Sequence, residues 1–539
     1  MSKFSVVLLV NSPIGSTYGL NIIVAQLKSI GAEVRVLYLA EITAMRVFSQ
    51  SIMSVEENTP GCLKFTNSVV EQVLEFCREA SIIGFSLMTA GFFNSVQLTQ
   101  RIKESLGDIP VVWGGKHVII NPEECLEYAD VLCTREGDTN FKEYIQNMMG
   151  GDKKRDIPGL WFKDGNIRNH TAPYIRDLDT LPFPDYGPSG HYLIENGLIR
   201  EATHEDIRKY LLKEYPTMIA RGCPMKCTFC ANSAEDNHRL RVRSVDNVIA
   251  ELDRTQKDYG NIQMVMFRDD TIMSLKLEYI EEFSTKWKEK LNIPFSSSGV
   301  IPTAVKEDKL RLLLNAGFFS VKMGIQSGSI KVRNKIYGRP ESDEQVMRAA
   351  NILNKLNTPK VAYMFITDNP WEEDDDIVTS LRFISRLSRP FSLSIYSLNL
   401  YPGTELFNRA IREGKINNPH EWYNKSTMTL KKSYFNMLYM MQRFWAVPSW
   451  MMTILTWKFL YRKKTYQFIF TKCYGWYFRN LSQFGVERKS IKCKTIFHVG
   501  IELFIDIFFR LDVKTAKDKI INKIRASNRK MKYESAFVK

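Results

Sequence analysis

Two series of short, continuous apolar runs alternate with amphipathic stretches along this chain. That alternation restricts it to parallel-sheet architectures, in which strands are buried on both faces. In the first series Ser5–Val10, Val34–Leu39, Ile82–Ser86, Val111–Trp113 and Val131–Cys133 carry the strand pattern. Helical periodicity falls between them, near 20–30 (closed by Gly31), 95–106 and 122–128. The pattern predicts a doubly wound α/β domain over residues 1–150. Ligands of such sheets sit outside the carboxyl ends of the strands, here the loops at 11–19, 86–91, 114–117 and 135–138. Their Gly, Ser, Thr and Asn residues permit close approach of backbone to a ligand, although any parallel sheet also needs small residues in its turns.

The second series starts near residue 216. Thr217–Ala220, Met264–Phe267, Phe295–Ser298, Ser320–Ile325, Lys360–Ile366 and Leu393–Leu400 alternate with helical stretches near 245–258, 276–290, 306–315, 343–356 and 374–387. About six strand–helix units fall short of a closed eightfold barrel, so an open (β/α)6 partial barrel is predicted over 216–415. Residues 151–215 read as a linker. Within it, Asp156 to Phe162 followed by Asp164-Gly165 marks a small hairpin, and Leu181-Pro-Phe-Pro-Asp185 an extended crossing fixed by proline.

The first strand of the second series runs directly into Arg221-Gly222-Cys223, and Cys223, Cys227 and Cys230 form a CxxxCxxC loop. Clustered thiolates without histidine suit iron–sulfur or zinc. A structural zinc site or an ordinary ferredoxin cluster wants a fourth ligand, which only Cys125 or Cys133 supplies, by folding back. Three thiolates on a four-iron cluster instead leave one iron open to chelate a substrate and pass it an electron. The remaining cysteines, Cys62, Cys77, Cys125, Cys133, Cys473 and Cys493, are scattered and read as small buried hydrophobes. Nine cysteines in 539 residues are too sparse for a disulfide framework.

Cys223-Pro-Met-Lys-Cys227-Thr-Phe229-Cys230 resembles the CxxxCxΦC signature of the radical S-adenosylmethionine (SAM) superfamily. In that family the open iron of a 4Fe-4S cluster binds the amino and carboxylate groups of SAM. Reduction, from a donor such as flavodoxin or ferredoxin, cleaves the sulfonium to a 5′-deoxyadenosyl radical that abstracts hydrogen from substrate. The resemblance makes Cys223, Cys227 and Cys230 the cluster ligands and sets Phe229 beside the adenine.

Upstream, Ser86-Leu-Met88-Thr89, Gly114-Gly115-Lys-His117, Asn121-Pro122-Glu123-Glu124 and Arg135-Glu136-Gly137 look like the cobalamin-binding domain fused to the class B-type methyltransferase and oxidative cyclase group of that superfamily. Downstream, Arg241-Val-Arg243-Ser244, Phe267-Arg-Asp269-Asp270, Met323-Gly-Ile-Gln326-Ser-Gly328 and Tyr401-Pro-Gly-Thr-Glu405 match the same group. The likeness covers about 5–415. It implies a Rossmann-like cobalamin-binding domain with contacts at Ser12, Pro13, Leu20, Ser86, Met88, Thr89, Gly114, Gly115, His117, Glu136 and Gly137. It also implies a TIM-like radical SAM barrel with SAM contacts at Phe229, Asp270 and Gln326.

The chain departs from the family pattern in places. The Asp-x-His-x-x-Gly signature that ligates cobalt in methionine-synthase-like domains is absent, so His117 is not assigned to cobalt; a hydrogen-bonded loop histidine is the plain alternative. Gln326 stands where Glu is frequent, the stretch from Phe365 to Glu372 is bulkier than the usual Gly-rich turn, and Ser296-Ser-Ser298-Gly299 lacks an Arg often found there. Asp269 and Asp270 would point to opposite faces of a strand; Asp270 is expected toward the cofactor, with capping of the next helix as the alternative.

The implied reaction is C-methylation of an unactivated carbon in a small-molecule or lipid-like substrate. Radical oxidation, cyclisation or ring rearrangement without methyl transfer is the alternative, and a non-catalytic cobalamin- or redox-sensing protein tethered to membranes is a third reading.

Formal net charge is +15, yet its distribution matters more than its size: residues 431–539 hold 23 Lys/Arg against 6 Asp/Glu, and the preceding 430 hold 51 against 53. Residues 416–539 are expected to be a basic, aromatic helical region. Only 14 uncharged residues separate Arg443 from Lys458, with Pro448 among them, too few for a bilayer span of about 20 residues. The apolar run Thr495–Phe509 contains Glu502 and Asp506. Trp445, Trp450, Trp457 and Trp476 among basic residues fit peripheral contact with a membrane interface, or else a helical core that caps the barrel. A nucleic-acid partner is not expected, because no recognised binding module accompanies the charge. The amino-terminal stretch reads as strand and turn rather than a secretory signal, which leads to an expected cytoplasmic location, peripheral to the inner face of the membrane if the tail binds lipid.

Overall fold

The computed structural model of the chain describes residues 3–40, 65–235, 238–269, 272–431, 433–444 and 447–462. The chain divides into one unit spanning 1–430 and a second spanning 431–539.

The amino-terminal sheet of the first unit contains β1 (Ser5–Val10), β2 (Glu33–Tyr38), β3 (Ile82–Ser86), β4 (Val111–Gly114) and β5 (Val131–Cys133). All six residues of β1 are buried, as expected for a strand covered on both faces. These strands pair in parallel in the order β5-β4-β3-β1-β2, so the direction of winding reverses between β1 and β3. Phe85, Trp113, Leu9, Leu37 and Leu132 fill one core, closed by the helices Asn67–Cys77 and Phe92–Leu106. The helix expected near 122–128 is the short Pro122–Cys125, and a second short helix, Lys116–Ile120, begins within the stretch read as the loop at 114–117. Pro122 cannot donate to the preceding turn, but it fits the first position of a new one.

Residues 151–215 do more than link. The hairpin β6 (Leu160–Phe162) and β7 (Ile167–Arg168) joins antiparallel to β5. β8 (His191–Glu195) then pairs parallel to β2 and antiparallel to β9 (Leu198–Glu201), giving a nine-stranded sheet.

The second sheet contains β10 (Tyr215–Thr217) and, after the two-residue strands β11 (Ala220–Arg221) and β12 (Arg241–Val242), β13 (Val265–Phe267), β14 (Phe295–Val300), β15 (Phe318–Gln326), β16 (Lys360–Thr367) and β17 (Ser392–Ser397). Six strands, β10 and β13 to β17, pair in parallel in chain order, forming the open six-stranded barrel. Phe267, Phe283, Trp287, Phe295 and Phe318 pack edge-on and stacked inside its wall. Two of the helices between strands begin at hydroxyl caps: Ser244 accepts from Asn247 N at 3.1 Å, and Ser342 and Gln345 form a reciprocal box.

One expectation is corrected here. The strand read over Thr217–Ala220 does not continue into the cysteine loop. It ends at Thr217, and Ala220–Arg221 pairs antiparallel with β12 instead. The cause is Asp269: its carboxylate accepts from Ile219 N at 2.9 Å and from Ala220 N, pulling the backbone out of the parallel ladder.

The second unit is helical where described, with Tyr434–Phe444, Ser449–Leu455 and Lys458–Arg462. The Tyr434 hydroxyl donates to Leu455 O at 2.7 Å. Trp445, Trp476, the Thr495–Phe509 run, Cys62, Cys473 and Cys493 lie outside the described residues. No helix among those described is long and apolar enough to cross a membrane.

Candidate active site

The crevice at the reversal between β1 and β3 is bounded by the loops that carry Ser12 and Pro13 on one side and Ser86, Met88 and Thr89 on the other. Asn11 fastens these loops to one another, its amide donating to Gly91 O at 3.3 Å and to Ser95 Oγ at 3.2 Å. Met88 is 58% exposed at the crest, while Leu20 is half-buried on the first helix, Tyr18–Ser29. After β4, Gly115 has φ +95°, and a Cβ there would stand 2.7 Å from the Leu87 backbone, so only glycine lets the two loops touch.

His117 is not a loop residue. It lies in the first turn of Lys116–Ile120, fully buried, with Nδ1 3.2 Å from Thr89 Oγ1 and Nε2 without a hydrogen-bond partner. Burial pushes its pKa down to about 4, and nearby Glu124 opposes the shift. A switch-point crevice with closely apposed loops, an exposed apolar crest and a buried imidazole nitrogen without a hydrogen-bond partner suits a large, flat, amide-rich cofactor such as cobalamin.

At the corresponding end of the second sheet, the cysteine loop is held from three sides. Thr228 N donates to Tyr337 O at 3.2 Å, the Thr228 hydroxyl donates to Ile336 O at 2.5 Å, and Thr228 O accepts from Leu406 N at 2.9 Å. Cys230 N donates to Cys227 O at 3.1 Å, closing a turn between two of the thiols. Cys223 and Cys230 are half-buried and Cys227 is buried. Burial pushes the Cys227 thiol up to about 12; Arg339 pulls it down, and Cys230 and Cys223 raise it further. Three mutually interacting thiols on one pinned loop, none in a disulfide, fit an iron–sulfur cluster with three protein ligands.

Phe229 packs edge-on to Tyr337 at 5.2 Å, against the core of Val332, Ile336 and Leu406. Gln326 ends β15 with φ +70°, next to a register shift in the β15–β16 pairing, and is 8% exposed. Strained non-glycine backbone of this kind concentrates at functional sites. Asp270 lies outside the described residues, and Asp269 is the buried backbone clamp already noted.

Around these positions are polar groups not singled out from sequence. The Arg339 guanidinium donates to Glu341 at 2.7 Å and to Gly324 O at 3.1 Å, with both side chains buried. Glu372 receives a 3.4 Å bond from the Ser327 hydroxyl; burial, then Asp376, raises its carboxyl to about 8. Glu341 Oε2, Asn369 Nδ2 and Ser397 Oγ are buried without hydrogen-bond partners, capacity that a polar ligand such as SAM would use.

The crevice and the cysteine loop face one another. Arg221 reaches Asp138 at 2.6 Å and Glu136 at 3.2 Å, and Arg241 grips Glu136 through two bonds. Burial by itself would raise the Glu136 carboxyl, but the two arginines hold it below the usual range. Lys116 meets Glu235 at 2.5 Å. Further along, Glu124 accepts from the Tyr423 hydroxyl at 2.6 Å.

Comparison with known proteins agrees with this arrangement. Residues 5–145 match the B12 binding domain model and residues 217–384 the radical SAM superfamily model. An uncharacterized methyltransferase of Pyrococcus horikoshii is 27% identical over 344 residues, covering 62% of this chain and 70% of that protein. The anaerobic magnesium-protoporphyrin IX monomethyl ester cyclase of Cereibacter sphaeroides is 25% identical, covering 53% of this chain and 47% of the cyclase. Among solved structures, the radical S-adenosylmethionine methyltransferase TsrM of Kitasatospora setae, with cobalamin and a [4Fe-4S] cluster bound, superposes with a TM-score of 0.58. It is 16% identical and covers 76% of this chain and 78% of TsrM, a likeness of fold.

Proposed function

We propose that this chain, which belongs to the radical SAM superfamily and carries an N-terminal B12 binding domain, methylates an unactivated carbon of a small-molecule or lipid-like substrate. The observation that carries this reading is the opposition of the two strand-end faces, joined by the Arg221–Asp138, Arg241–Glu136 and Lys116–Glu235 pairs. When bound, cobalamin supplies a methyl carrier and the cluster with SAM a source of carbon-centred radicals. Cys223, Cys227 and Cys230 would hold the cluster, with Phe229, Gln326 and Asp270 against SAM. The loops of Ser12, Pro13, Ser86, Met88, Thr89, Gly114, Gly115, His117, Glu136 and Gly137, with Leu20, would cradle cobalamin. The contacts between the two faces would hold a carrier bound in the crevice opposite the cysteine loop.

Anaerobically purified protein is expected to contain iron that is lost when Cys223, Cys227 and Cys230 are all replaced by Ala, and to bind cobalamin. Given a reductant such as flavodoxin or ferredoxin in the cytoplasm, it should convert SAM to 5′-deoxyadenosine. A product heavier by one CH₂ supports methylation. A product of altered hydrogen count without added carbon supports the cyclase-type reading, which the Cereibacter sphaeroides relative favours. Iron retention by the triple Ala variant would overturn the cluster assignment.

For the carboxyl-terminal unit we propose peripheral contact with an anionic membrane surface. Trp450, Trp457 and Phe459 are 62%, 49% and 49% exposed beside exposed Lys458 and Arg462, and residues 431–462 contain no acidic residue. Full-length protein should co-sediment with vesicles containing phosphatidylglycerol, and the Trp450→Ala, Trp457→Ala, Phe459→Ala combination should not.

A further inference from the structure

The cysteine loop does not end at its last thiol. Cys230 leads into a single helical turn, Ala231–Ala234, that closes at Glu235. The Glu235 side chain is only 7% exposed, and its carboxylate meets Lys116 Nζ at 2.5 Å. The same ammonium donates to Asn232 Oδ1 at 2.8 Å, so Lys116 holds both ends of the turn. The Glu235 carbonyl accepts from the Tyr174 hydroxyl at 2.9 Å and from Arg135. Lys116 and Arg135 come from the loops after β4 and β5, two of the loops that frame the crevice in the other half.

Both ends of this contact are stiff. Lys116 follows Gly115, whose contact with the Leu87 backbone leaves no room for slippage, and precedes His117, anchored on Thr89. Glu235 is five residues beyond Cys230, on a turn tied to that cysteine through Ser233 N to Cys230 O at 3.0 Å. The contact therefore links the turn that follows Cys230 directly to the loop of Gly115. With Glu235 buried and Lys116 about a quarter exposed, the pair is screened by solvent less than a surface pair.

We infer that Lys116 and Glu235 are a positioning pair that couples loading of the cluster loop to affinity of the crevice for cobalamin. The inference rests on the cofactor assignment proposed above. It states something further: the two sites are thermodynamically linked, and the linkage passes through these side chains. Linkage is reciprocal, so it is readable from either cofactor.

The test is cobalamin affinity, measured by quenching of intrinsic fluorescence with hydroxocobalamin, for full-length protein with its cluster reconstituted and with the cluster removed by chelation. Native protein is expected to bind at least about fivefold more tightly when the cluster is present. In Lys116→Met and in Glu235→Gln, each with unchanged iron content, that ratio should fall to about one. The exchanged pair Lys116→Glu with Glu235→Lys should restore it, and Lys116→Arg should retain it. A merely structural bridge would lower the melting temperature and leave the ratio intact. A native ratio of one, or a ratio preserved in both single variants, overturns the inference while cobalamin binding itself still stands. Absence of any cobalamin binding overturns the proposed function, and this inference with it. Should the single variants not fold, the neutral double variant Lys116→Met with Glu235→Gln decides by the same ratio, which falls to about one if the pair couples the sites and stays native if it does not.

Discussion

Glu136 faces Arg241 across the boundary between the two sheets with both carboxylate oxygens engaged, at 2.6 and 2.8 Å from the guanidinium nitrogens. The fork geometry matches carboxylate to guanidinium, and Arg221 adds a third contact at 3.2 Å. Removing one partner of such a pair strands the other in a low-dielectric setting. Glu136→Gln is expected to cost roughly 3 kcal/mol, the lower end for a buried pair because Glu136 is one-fifth exposed. Urea unfolding followed by tryptophan fluorescence checks this. The carboxyl is held below its ordinary range, so its contribution is full above the unfolded value and is lost as pH falls through the folded one; the native-minus-variant difference should shrink in acid.

Gly403 has φ +75° in the turn after β17, and a Cβ placed on it would lie 2.0 Å from the carbonyl oxygen of Ile120. No side chain fits without parting the helix Lys116–Ile120 from that turn. Gly403→Ala is expected to destabilise by at least about 2 kcal/mol, combining left-handed strain with a backbone clash. An Ala variant with native stability would show that this contact is not made in solution.

His117 gives a titration of opposite origin. Its folded pKa, about 4, lies below the ordinary 6.5, so between those values the unfolded chain binds a proton that the folded chain refuses. Stability of cobalamin-free protein should therefore fall as pH drops from 6.5 toward 4, by up to about 3 kcal/mol from this residue. His117→Gln should flatten that slope, measured as the difference in unfolding midpoint at pH 7 and pH 5.

Arg339 lies close enough to Cys227 to pull its thiol pKa down, and Glu341 close enough to push it up. Arg339→Met should lower the reduction potential of the reconstituted cluster, and Glu341→Gln raise it, each on the order of tens of millivolts. Redox titration followed by electron paramagnetic resonance reads both signs, and shifts of the same sign would contradict the arrangement.

The strands were legible in sequence where burial on both faces wrote an unbroken apolar run, as in β1, β3 and β5. The cysteine loop was legible because its ligands are local. What sequence withheld was tertiary. Ile219 and Ala220 look like a continuation of β10 until Asp269, some fifty residues on, accepts hydrogen bonds from their amides. The helix Asn67–Cys77 buries Val69, Val70, Val73, Leu74 and Cys77, a stripe of helical spacing that lies between the strand runs at 34–39 and 82–86. Lys116 and Glu235 stand in unrelated stretches of chain, and no local pattern marks them as partners. Glu136 reads as a loop residue, and nothing local announces that its carboxylate oxygens are both bonded to arginines of the β11–β12 pair.

The strands contributed by residues 151–215 bear on how the molecule can be divided. β2 hydrogen-bonds to β8, and β5 to β6, so a fragment cut at residue 150 would expose both flanks of a parallel sheet, apolar and unpaired. Such bare edges template self-association. An excised amino-terminal domain should therefore aggregate unless it runs through Glu201, where β9 and β7 close the two margins with short antiparallel strands. The crossing segment acts as selvedge to the first sheet, which is wider than the cofactor-binding pattern printed within it.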